Sequence, residues 1–167
     1  MDKKLISYLN YHLAGSTGAF LLVQEIIDSC QAPGSRRFFL RLKENIASDR
    51  STLEDLLKRI GHDAAAFDEL SDSFGTRTGA VKLFWKQIEP GKLDLFEALE
   101  ILALGIHGRR LLWVALGEVG SWFPEWHGVD FKELEHQAVE QRNDIELWRI
   151  EAAIDTLADE ERRSGGA

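Results

Sequence analysis

Cysteine occurs once in this 167-residue chain, at Cys30, so neither an internal disulfide nor a cysteine-built metal cluster can form within one chain. Proline is nearly as scarce, and Pro33, Pro90 and Pro124 all fall between helical runs. Basic charge is in deficit: 20 Lys and Arg against 28 Asp and Glu give a formal charge of −8. With no basic stripe interleaved with aromatics, this argues against nucleic acid or an anionic membrane surface as partner. No segment approaches the roughly 18 consecutive apolar residues of a membrane span. Lys3 and Lys4 precede an apolar run, but Asn10, His12, Gln24 and Glu25 interrupt it and no convincing cleavage site follows. It therefore does not read as a signal peptide, and a cytoplasmic protein is the expectation. Strand-type alternation and repeats of fixed period are missing, as are phosphate loops, Ser-His-Asp signatures and zinc spacings. No catalytic residue is nominated.

What remains is helix. A hydrophobic share of 44% and a charged share of 29% suit one globular domain with a proper core. Apolar residues at helical spacing predict four long helices over about 4–30, 36–60, 94–119 and 130–157. Gly61 is a stop for the second, Asp94 with Glu97 makes a capping box for the third, and Asp130 caps the last. Ser35 is the expected cap of the second helix. Residues 61–92 suit a crossover carrying a short helix over Thr76–Ile88, with Val81, Leu83 or Phe84, and Trp85 buried. Residues 1–158 then form a single all-α domain, and 159–167 a flexible tail.

The inward stripes carry polar interruptions. On the first helix, Leu5, Leu9, Ala19, Val23 and Ile26 are joined through His12 and Ser16. Asp49 falls between Ile46 and Leu53, Arg109 between Ile106 and Trp113, and Gln141 between Ala138 and Ile145.

Two helical pairs separated by a long crossover resemble the ferritin-like superfamily, a four-helix bundle of two hairpins. The phrases Tyr8-Leu-Asn-Tyr-His-Leu-Ala-Gly15, Ser48-Asp-Arg-Ser-Thr-Leu-Glu-Asp55 and Leu104-Gly-Ile-His-Gly108 are similar to uncharacterised bacterial ferritin-like proteins. The resemblance implies the fold and no particular activity. It raises the question of iron or another divalent metal as cofactor. Di-iron members bring inward a carboxylate from each of two helices and Glu-x-x-His from each of the others. Glu133-Leu-Glu-His136 is the one such spacing, but His136 lies about 160–200° from Leu134 and Ala138 at 100° per residue. No glutamate occupies the centre of an inward stripe, so the di-iron set is expected to be missing. Weaker metal candidates are His12, Asp49, His107, Glu133 and His136.

In ferritin-like connectivity, His12, Asp49, Arg109 and Gln141 fall within about a turn of one level. They are expected to form a polar layer, either fixing register or lining a cavity for a small ligand, with Asp49 paired to Arg109. His107, Arg110 and Arg142 stand in if the helices rotate slightly. Gly15-x-x-Gly18 and Gly105-x-x-Gly108 predict close helix packing, because a mid-helix glycine costs about 1 kcal/mol against alanine. Trp122, Phe123 and Trp126 either form an interface or close the end of the bundle. The functional expectation is a non-catalytic helical bundle, homodimeric, acting by protein association or small-ligand binding. A degenerate metal-dependent oxidoreductase is the alternative.

Overall fold

The computed structural model describes residues 3–30, 32–62 and 94–164; among them every regular element is helical. Four long helices, α1 (Lys3–Ser29), α2 (Pro33–Arg59), α3 (Leu95–Val119) and α4 (Phe131–Ser164), carry the chain. Two short 3₁₀ turns, Gly120–Trp122 and Pro124–Trp126, join α3 to α4. The expected crossover helix over Thr76–Ile88, with Val81, Leu83, Phe84 and Trp85, lies outside the described residues.

Local chemistry sets most of the helix ends. Asp94 accepts from the Glu97 amide at 2.8 Å, and Glu97 returns a carboxylate to the Asp94 amide at 3.3 Å, completing a capping box. Asp130 accepts from the Glu133 amide at 3.0 Å. Gly61, at φ 80°, terminates α2. Its amide reaches Lys58 O at 2.9 Å and the His62 amide reaches Leu57 O at 3.0 Å. That paired 5→2 and 6→1 pattern is a Schellman motif, and the left-handed φ is why glycine stands there.

Two boundaries differ from expectation. Pro33 opens α2 instead of lying between the helices, because its fixed φ and missing amide suit the first helical turn. Ser35 therefore lies inside the helix, and Ala32 occupies the cap with no side-chain bond. At the other end of the chain, α4 continues to Ser164, past the expected end near Leu157.

Side-chain pairings fix the directions. Arg50 bonds to Thr17 and Lys43 to Gln24, so α1 and α2 are antiparallel. Arg110 meets Glu135 at 2.8 Å and Arg149 meets Glu100 at 3.2 Å, so α3 and α4 are antiparallel too. α2 and α3 run the same way: Phe39, Leu42 and Ile46 share one core cluster with Leu99, Leu102 and Ile106. Leu53, Leu56 and Leu57 share the other with Leu112, Trp113 and Leu116. Each fully buried Leu or Ile contributes roughly 1.5–3 kcal/mol by leaving water.

Three glycines of the two pairs do not act as expected. A Cβ added at Gly15, Gly105 or Gly108 would meet nothing within 4 Å, so close helix contact is not what these three glycines permit. Close approach occurs instead at Gly120, where an added Cβ would stand 2.8 Å from the Phe131 ring.

Candidate functional site

The two apolar clusters are separated by a polar layer in the interior. On α2 the break between Ile46 and Leu53 is filled by Asp49; on α3 the break between Ile106 and Leu112 is filled by Arg109. On α4 Gln141 fills the break between Ala138 and Ile145. All three side chains are buried.

They touch one another. Arg109 Nη1 lies 2.5 Å from Asp49 Oδ2, and Arg109 Nη2 donates to Gln141 Oε1. Burial pushes the Asp49 carboxyl up and the Arg109 guanidinium down, and each partner's charge only partly offsets this. The polar groups are incompletely met. Among the described residues Arg109 Nε has no hydrogen-bond partner, and Asp49 Oδ2, though in ionic contact, lacks hydrogen-bond geometry.

His12 is not part of this layer. With Thr17 beside Arg50, the level of Asp49 on α1 falls near Gly18. His12 is six residues earlier, about 9 Å along the axis at 1.5 Å per residue. The physical reason is register: the Arg50–Thr17 and Lys43–Gln24 contacts set Gly18, not His12, beside Asp49. At the level of the layer α1 offers Ser16, whose hydroxyl donates to its own helix at Leu13 O, 2.6 Å away. His12 sits instead against the rings of Tyr8 (4.8 Å, 78°) and Tyr11 (5.3 Å, 87°), with no hydrogen-bond partner among the described residues.

Burial pushes the His12 pKa down to about 4. The folded protein therefore takes up this proton only near pH 4, whereas the unfolded chain does so near 6.5. Between these values the unfolded state binds more protons, so stability rises with pH and is lost as pH falls through the window. The loss is expected to approach about 3 kcal/mol below pH 4. In urea unfolding at pH 7 and 4.5, His12→Phe should show a smaller difference between the two pH values than the parent chain by roughly 2 kcal/mol. An unchanged difference would place the acid sensitivity elsewhere.

Asn10, outside the inward stripe of α1, is 9% exposed, and its Oδ1 has no partner among the described residues. Asn10 follows core residue Leu9, about 100° around the helix, and the apolar pattern alone carries no sign of its burial. Arg110 reaches Glu135 outside the layer, and Arg142 is exposed.

The aromatic link between α3 and α4 divides in two. Trp126 is 2% exposed, stacks on Phe123 at 4.5 Å and meets Phe131 edge-on at 6.1 Å. These rings close one end of the helices. Trp122 alone points outward, at 76% exposure.

The metal candidates do not fit a metal centre. His107 and Glu133 are exposed, and His136 is exposed beside Glu140 at 3.8 Å. Among the described residues, no three His, Cys, Asp or Glu side chains converge on one point. The interior level that would suit shared metals holds the Arg109 guanidinium, a fixed positive charge that disfavours a cation. No helix among the described residues is long and apolar enough to cross a membrane.

Searches with this chain match no protein-family model, no curated protein and no solved structure.

Proposed function

We propose that this chain is a ferritin-like four-helix bundle without the di-iron ligand set, acting as a non-catalytic binding protein through protein association or a small ligand. The observation that carries this reading is the Asp49–Arg109–Gln141 layer, which puts a buried cation where bridging carboxylates would be required. The two antiparallel pairs, with α2 and α3 running the same way, support the ferritin-like arrangement.

Association, as a homodimer, is supported by the outer side of α4. Leu147, Ile150, Ile154 and Leu157 recur there at a 3-4-3 spacing and are 73%, 46%, 60% and 60% exposed. Their side of the helix is opposite the buried Ile145 and Ala152, so α4 is apolar on two faces, which a solvated helix does not need. The exposed Trp122 adds a second apolar contact.

Elemental analysis of protein purified without added chelator or metal tests the reading. Substoichiometric iron, manganese and zinc are expected, and about two bound ions per chain would overturn it in favour of a metal-dependent oxidoreductase. Sedimentation of the same preparation should give two chains per particle; a monomer would remove the self-association part.

A further inference from the structure

A cleft of about 280 Å³ opens between α2 and α4, just below the usual range for ligand pockets, about 300–1,000 Å³. Its wall carries Phe38, Arg41, Glu44 and Asn45 from α2, with Gln141 and Asp144 from α4. The side chains of Arg41, Glu44, Asn45 and Asp144 make no hydrogen bond or ion pair with one another or with any other described residue. One cation and two carboxylates thus share a cleft without neutralising each other.

Gln141 joins this cleft to the buried layer. It is 9% exposed and accepts from Arg109 through Oε1. A guanidinium offers only donors, so the amide orientation is forced: Oε1 faces Arg109 and the –NH₂ group is left with no acceptor among the described residues. The interior ion pair therefore sets two N–H donors in the wall of the cleft. Phe38 supplies an apolar surface, braced by Trp148 at 5.4 Å and Phe39 at 5.1 Å.

We propose that the α2–α4 cleft binds a free α-amino acid with an apolar side chain. Arg41, Asn45 and the Gln141 amide hold the carboxylate, Glu44 and Asp144 hold the ammonium, and the side chain lies on Phe38. A molecule of either charge alone leaves one set of these groups desolvated and unpaired, which is costly. The wall's single net negative charge favours a neutral zwitterion over an anion. This rests on the ligand-binding part of the function proposed above, and deepens it by naming the ligand class.

The test uses full-length ¹⁵N-labelled protein titrated with L-phenylalanine, with 2-phenylethylamine and 3-phenylpropionate as probes that each lack one charge. The Trp148 indole signal, assigned with Trp148→Phe, is the reporter through its contact with Phe38. L-Phenylalanine is expected to give a saturable shift, and each single-charge probe to bind at least about tenfold more weakly. Arg41→Ala, an exposed change, and Gln141→Leu are expected to weaken L-phenylalanine binding at least about tenfold while the dispersed spectrum is kept. No saturable shift by ~10 mM, equal binding of a single-charge probe, or undiminished binding to Arg41→Ala would overturn the proposal. None of those outcomes alters the metal content or the sedimentation result, so failure here is separable from failure of the broader reading.

Discussion

Asp49→Ala is expected to lower the free energy of unfolding by about 3–5 kcal/mol, the usual cost of leaving one partner of a buried pair alone. The Arg109 side chain is 10% exposed and its Nε is already without a partner. Removing Asp49 leaves the guanidinium with the Gln141 carbonyl oxygen alone, in a layer sealed above and below by Ile46, Ile106, Leu53 and Leu112. The deleted carboxylate also opens a void that side chains at native density fill poorly. Replacing both partners has a different expected outcome. Asp49→Leu combined with Arg109→Met takes away both desolvation penalties and keeps volume near its present value. The double variant is expected to be within about 1 kcal/mol of the parent, or more stable. Urea unfolding followed by far-UV circular dichroism measures both, and a double variant as damaged as Asp49→Ala would show that packing, not charge, governs the layer. In the double variant Gln141 is free to turn, so its carbonyl oxygen no longer fixes the amide toward the α2–α4 cleft.

Trp126→Ala is expected to cost about 3–5 kcal/mol by the same measurement. Two effects add. The indole is almost fully buried between Phe123 and Phe131, and its removal empties a large volume at the closed end of the helices. Its Nε1 also donates to Leu56 O at 3.1 Å. Leu56 O belongs to the last turn of α2, where carbonyls lack the usual acceptance from four residues ahead. The amides of Ile60, Gly61 and His62 go to Leu57 O and Lys58 O, and the indole serves Leu56. Trp126→Phe separates the effects, keeping a ring and leaving the carbonyl unmet, at a cost of about 1–3 kcal/mol. Equal damage from the two substitutions would show that the hydrogen bond, not the packing, ties the α3–α4 link to α2.

The helices were legible because their ends and faces are written locally. A capping box at Asp94 and Glu97, a left-handed Gly61 and a cap at Asp130 need only a few neighbouring residues to act. The stripe through Phe39, Leu42, Ile46 and Leu53 needs only a period of 3.6. The same periodicity turned Asp49, Arg109 and Gln141 inward. The place of Pro33 was not legible, because proline is as well suited to the first turn of a helix as to the link before it.

Axial register was not legible. The sequence puts His12 on an inward stripe, but the offset between α1 and α2 decides which residue lies beside Asp49, and side-chain packing sets that offset. Asn10, the outer apolar face of α4 and the open space beside Gly15, Gly105 and Gly108 belong to the same class. Each depends on what another helix places nearby. The fates of Trp122, Phe123 and Trp126 parted for that reason: of three aromatics in five residues, the tertiary structure buries Trp126, half-buries Phe123 and leaves Trp122 in solvent.

By itself, then, the sequence determined the helical class, most of the helix ends and the three polar side chains that enter the core, since propensity, capping and periodicity act within a few turns. Only the tertiary structure decided that His12 stands apart from those three, that Trp126 caps α2, and that Gln141 both meets Arg109 and lines a cleft. Those outcomes are set by how far one helix slides along another, a distance that no residue specifies alone.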